Sequence, residues 1–294
     1  MKRFSKMFEM FIIFVGLVVI LSCSNHVQDI SSDITYDFSS DGEPIDVIIL
    51  AGQSNATGSC LAEDLREYVS PEDFELFTNG FENQKIIWYL DWSKLGYLPV
   101  SSKLTNVKFG QGFSDFSFGP EIGISYKMNK EHKKVVIIKF TSPGAGITTF
   151  VNTKGLNYFF EFFIFESMKE LNDIGYFPKI KCLCWMQGET ESSEKFDALM
   201  YEKREKLLIS DIRKKFGNDI VFIDARVTDW TLVKPNCFQD IVNNAKMNIS
   251  ELKNNNYIIK SNGLKKSYDR MHYDAYSQFE LGKRFGEMIL SKCY

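Results

Sequence analysis

The stretch Asp46-Val47-Ile48-Ile49-Leu50-Ala51-Gly52-Gln53-Ser54-Asn55 decides how the rest of the chain is read. Val47 to Ala51 are apolar without interruption, which is how a strand buried on both faces is written; a half-exposed strand would alternate. Such strands belong to parallel sheets covered by helices on both sides. The chain then leaves the strand through Gly52-x-Ser54, at the carboxyl end where open α/β sheets gather ligands and catalytic groups. Gly52 permits a tight turn, and Ser54 falls where backbone N–H groups are still unpaired.

Working outward, similar runs occur at Val135 to Phe140, Lys181 to Met186, Ile220 to Asp224 and Tyr257 to Lys260. Between them lie helical patterns from Gly119 to Glu131, Leu156 to Asp173, Ser193 to Phe216, Asp240 to Asn254 and Ser277 to Ser291. Strand and helix alternate to the end, so the pattern predicts a three-layer α/β/α sandwich with a central parallel sheet. The stretch from Pro71 to Phe118 mixes Gly, Asn and aromatics without a period and is expected to be an irregular insertion near the active site.

With 294 residues and 44% hydrophobic content, the chain has enough material for one large domain with a substantial core. A net charge of -3 and the lack of a basic block after the N-terminus argue against a nucleic-acid partner. The N-terminus is a separate unit. Lys2, Arg3 and Lys6 precede an apolar run from Met10 to Leu21, shorter than the roughly 20 residues a bilayer span needs. Ile20-Leu21-Ser22-Cys23 resembles the lipobox of bacterial lipoproteins. The expected organisation is a signal peptide over 1–22, lipidation at Cys23, a flexible tether over 23–43 rich in Ser, Asp and Asn, and a domain over 44–294. The chain would then be an exported lipoprotein, membrane-anchored in the periplasm or at the cell surface. Of six cysteines, removing Cys23 leaves Cys60, Cys182, Cys184, Cys237 and Cys293, an odd number. Cys182 and Cys184 alternate on an apolar run and read as core filling. No His/Cys spacing resembles a zinc site, and neither a metal nor another cofactor is expected.

A serine hydroxyl is a weak nucleophile. It needs a base to take its proton and a carboxylate to orient that base. The chain has three histidines. His26 lies in the tether and His132 in the polar stretch Asn129 to Lys134, which leaves His272 in Asp269-Arg270-Met271-His272-Tyr273. Asp269, three residues earlier, is placed to reach the imidazole, so Ser54, Asp269 and His272 are the candidate catalytic residues. Glu189 and Glu191 invite comparison with the paired carboxylates of a glycosidase, but neighbouring acids at a helix start more often serve the helix dipole.

Gly52-Gln53-Ser54-Asn55, Trp185-Met186-Gln187-Gly188-Glu189-Thr190-Glu191 and Asp269-x-x-His272-Tyr273, in this order, resemble the sialate O-acetylesterase-like carbohydrate esterases of the SGNH hydrolase superfamily. The resemblance runs from about Asp46 to Leu290. It implies a serine esterase that removes O-acetyl groups from carbohydrates without a cofactor, acting on sialic acid or on plant or host glycans. Ser54 then matches the nucleophile, Asp269 and His272 the acid and base, and Ser54 N–H, Gly144 N–H and the Gln187 side chain the oxyanion hole. Gln53, Asn55 and Glu189 match supporting positions, and Phe118-Gly119-Pro120-Glu121 a segment that opens a helix near the site. Two departures stand out. Pro143-Gly144-Ala145-Gly146 replaces a more usual glycine pair, leaving Gly146 as an alternative oxyanion donor. Ala245-Lys246 replaces a more usual Ala-Gln, a change expected to alter the substrate pocket.

Two other readings remain at this point: a lipolytic-type ester hydrolase on the same scaffold, and a non-catalytic surface glycan-binding protein. The first calls for a wide apolar pocket and the second for a lost triad residue. Trp88, Tyr89, Trp92 and Trp230 are the aromatics available for stacking on sugar rings.

Overall fold

The run that opens the sequence analysis lies inside β1 (Glu43–Gly52). Its side chains alternate between two cores: Val47, Ile49 and Ala51 face one, Ile48 and Leu50 the other. Burying each of the larger ones is worth about 1.5–3 kcal/mol, so an apolar residue is favoured at every position. The computed structural model describes residues 40–93, 96, 98–228 and 234–294. The signal segment, Cys23, most of the tether and Trp230 lie outside the described residues.

The remaining strands of the sheet are β2 (Gln84–Leu90), β3 (Val100–Ser101), β4 (Thr105–Asn106), β5 (Val135–Thr141), β6 (Tyr176–Met186), β7 (Val221–Ala225) and β8 (Asn256–Ile259). Their order is β8-β7-β6-β1-β5-β2-β3, with β4 also paired to β2. The six long strands are parallel, and the short β3 and β4 run antiparallel at one edge. Helices α4 (Tyr158–Asp173), α5 (Lys195–Phe216) and α6 (Gln239–Glu251) supply the core on one face. Helices α2 (Pro71–Asn79), α3 (Glu121–Lys130) and α7 (Ala275–Cys293) supply it on the other. This is the three-layer α/β/α sandwich that the strand–helix order predicts.

The segment from Pro71 to Phe118 corrects its expectation. It is not an irregular insertion throughout: it contributes α2 and β2, and β2 pairs with β5 from Gln84↔Val135 to Leu90↔Thr141. Trp88 and Tyr89 are consecutive in a strand and so point to opposite faces, each packing on a different core. Their rings belong to the sheet's packing rather than standing clear as stacking platforms. Cys182 and Cys184 sit fully buried in the same core, and all five cysteines among the described residues are free thiols.

Candidate active site

β1 passes into a one-turn helix, α1 (Ser54–Thr57), through Gly52 and Gln53. Gly52 has φ 148°, and a Cβ there would lie 1.9 Å from the Met186 carbonyl oxygen, so only glycine lets β1 run this close to β6. The N–H groups of Ser54 and Asn55 precede the first hydrogen bonds of the turn, which run from Ala56 and Thr57 to Gln53 O at 2.9 Å. Register sets Gly52 beside both Thr141 and Met186. The loops after β5 and β6 therefore flank Ser54.

The turn before α7 brings Asp269 and His272 together. Asp269 Oδ1 accepts from Met271 N at 2.8 Å and His272 N at 3.0 Å, and Oδ2 lies 2.6 Å from His272 Nδ1. Burial pushes the Asp269 carboxyl upward, but the His272 N–H, its imidazole and the Met271 N–H outweigh that and hold it below the usual carboxylate range. The carboxylate is thus ionised and fixes the ring's orientation. Asn55 joins this turn to α1: its Oδ1 accepts from Tyr273 N at 3.3 Å, its carbonyl from Gln278 Nε2 at 2.9 Å, and its Nδ2 donates to Glu189 Oε1 at 2.7 Å. The residues immediately following Ser54 and His272 are thereby hydrogen-bonded across 218 positions of sequence. Phe113 adds a ring 6.0 Å from the imidazole, with Trp92 against it edge-on at 4.8 Å.

The oxyanion donors expected from the resemblance fare differently. Gly144 is exposed with φ 71°, whereas Gly146 is half-buried with Glu191 Oε1 filling the space a Cβ would take. Gln187 corrects its expectation. Its Nε2 faces three protein acceptors: Glu191 Oε2 at 2.6 Å, Gln53 Oε1 at 3.2 Å and Ala145 O at 3.2 Å. An amide nitrogen has two hydrogens, and the side chain is fully buried, so Gln187 is a bridge between loops rather than a donor held open for substrate. Gln53 Oε1 also accepts from Thr190 N and Oγ1, both at 3.3 Å. Glu191 Oε1 accepts from Ile147 N at 2.6 Å, and burial raises the Glu191 carboxyl's pKa against the opposing pull of Gln187 and that N–H. Glu189 and Glu191 are both buried loop braces, so neither is placed to flank a glycosidic bond.

Lys246, which stands where relatives more usually have Gln, is 1% exposed, 2.6 Å from Asp224 Oδ1 and 3.7 Å from Glu205 Oε1. Tyr201, beside it, accepts from Trp185 Nε1 and donates to Gln187 O, both at 3.1 Å. A second buried pair escaped sequence reasoning. Lys139, on β5, donates to Glu121 Oε2 at 2.7 Å, Gln111 O at 2.7 Å and Thr57 O at 2.9 Å, while Glu121 Oε1 accepts from Gly119 N. The visible signal was a lysine inside the apolar run Val135 to Phe140.

The described residues are similar in fold to three solved structures. A protein from Arabidopsis thaliana is 19% identical, with a TM-score of 0.62, and the match covers 85% of this chain and 100% of that one. A carbohydrate acetylesterase from Xanthomonas citri is 11% identical with a TM-score of 0.58; the match covers 85% of this chain but 56% of that one. NanS is 14% identical with a TM-score of 0.55, over 86% of this chain and 98% of its own. No curated protein matches the sequence. The family model described as carbohydrate esterase, sialic acid-specific acetylesterase matches residues 44–291. The chain belongs to that family, and is a carbohydrate esterase, a hydrolase of carboxylic esters.

Proposed function

We propose that the enzyme hydrolyses O-acetyl esters on carbohydrates through an acyl-enzyme, with Ser54 as nucleophile, His272 as general base and Asp269 as the group that orients it. The observation that carries this reading is the 2.6 Å contact between Asp269 and His272 on a turn tied to α1 through Asn55 and Tyr273. Ser54 Oγ attacks the acetyl carbonyl while His272 takes its proton. The Ser54 and Gly144 N–H groups receive the negative charge on the carbonyl oxygen. The imidazolium then protonates the departing sugar oxygen, and a water, deprotonated by His272, releases acetate and restores the hydroxyl. Asp269 stays ionised throughout and stabilises the imidazolium.

The apolar run and lipobox-like Cys23 support export and attachment to a membrane by an N-terminal lipid. Among the described residues no helix is long and apolar enough to cross a membrane. Fractionating cells that express the parent and a Cys23→Ala variant tests the tether: the parent belongs with the membranes and the variant in the soluble fraction.

Catalysis is tested by acetate release from an acetylated aryl ester and a panel of acetylated glycans, using the full chain and its Ser54→Ala variant. Activity that falls by several orders of magnitude in the variant is expected. Equal rates in the two proteins, or glycan binding without any hydrolysis by the folded parent, would replace this reading with the glycan-binding one.

A further inference from the structure

His272 is flanked by an aromatic wall that the proton transfers do not use. The ring centre of Phe113 lies 6.0 Å from that of the imidazole, with the two planes at 57°, and Trp92 meets Phe113 edge-on at 4.8 Å and 84°. Both residues are half-buried. Elsewhere in this protein, flat ring faces are taken up by other rings: Tyr89 stacks on Phe140 at 13° and Phe77 on Phe81 at 29°. Among the described residues no ring lies flat on Phe113, because its two ring neighbours both meet it at an angle. An aromatic face left open beside the candidate base is a surface for an apolar face of the substrate.

The wall is held from two directions. The loop from Gly110 to Phe118 closes on itself: Gly110 N and Gly112 N donate to Ser117 O at 2.9 and 3.3 Å, and Ser114 N donates to Ser117 Oγ at 2.7 Å. Gly112 has no room for a side chain, since a Cβ there would lie 2.5 Å from Gly58 O. Phe113 N donates to that same oxygen at 2.9 Å, and Gly58 N donates to Ser54 O at 2.8 Å, so backbone hydrogen bonds lead from the aromatic residue to the nucleophile. Lys139 fastens the loop once more through Gln111 O at 2.7 Å. Trp92 follows Asp91, whose N–H donates to Thr141 O at 2.8 Å and whose Oδ2 accepts from Ser142 Oγ at 3.0 Å. Phe113 is thus tied to α1, and Trp92 to the segment that leads into Gly144.

The reaction decides which part of the substrate meets this wall. Asp269 engages Nδ1, so Nε2 is the nitrogen that gives its proton to the departing oxygen. The group beside the imidazole is therefore the leaving alcohol, while the carbonyl oxygen turns toward the Ser54 and Gly144 N–H groups. A pyranose presents a flat face of C–H bonds, which packs on an aromatic face as other apolar surface does. We infer that Phe113 is the specificity residue for the leaving sugar, its ring receiving the C–H face of the acetylated pyranose, with Trp92 as the buttress that fixes its tilt. The inference rests on the assignment of Ser54 and His272. It adds that closed sugar rings are preferred over open-chain alcohols that carry the same ester.

The test compares kcat/KM on two substrates with the same ester, a methyl hexopyranoside acetylated on its primary hydroxyl and the hexitol acetylated on the corresponding carbon, beside an aryl acetate. The full chain is expected to favour the ring over the hexitol by about tenfold, the upper range of one aromatic contact. Phe113→Ala should bring that ratio close to one. Phe113→Leu, apolar but without a flat face, should do the same, and Phe113→Tyr should retain most of the preference. Equal kcat/KM for ring and hexitol in the parent, or hydrolysis of the aryl acetate alone, overturns the inference and leaves the esterase assignment standing. So does a Phe113→Ala variant that slows ring and hexitol by the same factor, because Phe113 then only packs against the imidazole. If the parent hydrolyses none of the three, the esterase assignment falls, and titration calorimetry with the unacetylated methyl hexopyranoside and hexitol decides the platform. Tighter binding of the ring that is lost in Phe113→Ala supports it, and equal or absent binding overturns it.

Discussion

Gln187 shows how one side chain's role depends on its neighbours. With its amide nitrogen faced by Glu191, Gln53 and Ala145, it transmits position between three loops around Ser54. Gln187→Ala and Glu191→Gln should therefore lower kcat by similar factors, and the double variant should be little worse than either. A coupling energy of about 0.5–3 kcal/mol in the double-mutant cycle is expected for contacting residues. A donor acting on the oxyanion alone would instead lower kcat about 10²–10³-fold without regard to Glu191; additive effects in the cycle would restore that role. The candidate triad was legible because few alternatives existed: one histidine outside the tether and the Asn129 to Lys134 stretch, with an aspartate three residues before it. The amide's role was not, because acceptors 134 and 42 positions away decide it.

At the level of elements, the Lys139–Glu121 pair is a staple between β5, α3, the end of α1 and the loop that carries Phe113. Phe113 N in turn donates to Gly58 O at 2.9 Å, so the wall beside His272 and the helix carrying Ser54 share one anchor. Burial pulls the Lys139 pKa down, and the Glu121 carboxylate opposes it without fully offsetting it. Removing one partner leaves a buried charge alone, so Lys139→Met should lower unfolding stability by about 3–5 kcal/mol, while Lys139→Met with Glu121→Leu should recover much of that. Urea titrations of the two variants and the parent measure both effects; a near-neutral single variant would show that the staple carries little. β2 was hidden for a related reason. A strand near the sheet edge that packs a Trp on one core and a Tyr on the other shows neither a clean alternation nor a continuous aliphatic run.

The whole molecule carries a proton that its sequence does not announce. Lys246 supplies one positive charge to a site that also buries Asp224 and Glu205, and two full negative charges there would outnumber it. Burial first, and then Asp224, raise the Glu205 carboxyl's pKa well above its ordinary value; Lys246 pulls the other way but does not prevail. Glu205 is therefore protonated in the folded protein at pH values where the unfolded chain has released that proton. The folded state binds more protons in that window, so stability is greatest below the ordinary carboxylate pKa and declines as pH rises through it. The slope is at most about 1.4 kcal/mol per pH unit for one excess proton. Denaturation at a series of pH values from 5 to 8 should show this slope in the parent and a flatter profile in Glu205→Gln. An identical slope in both would mean that the proton sits elsewhere.

The sequence alone determined the architecture and supplied the candidate reacting groups on which the proposed function rests. Short apolar runs rich in β-branched residues read as strands covered on both faces, and their spacing by helical segments points to a parallel sheet with its functional loops at one edge. A serine after the first such strand, the Trp185 to Glu191 segment and Asp269-x-x-His272 near the end are visible as local motifs, and they carry the resemblance to the acetylesterases. Tertiary structure alone decided which polar groups are brought into the protein and which are left for substrate. Gln187, Lys246, Lys139 and Glu121 are assigned by partners far away in sequence, and Phe113 meets His272 only when the loop that carries it closes on α1. Hydrophobic periodicity is a local property that a sequence displays directly, whereas hydrogen bonding and charge pairing depend on distances that exist only after folding.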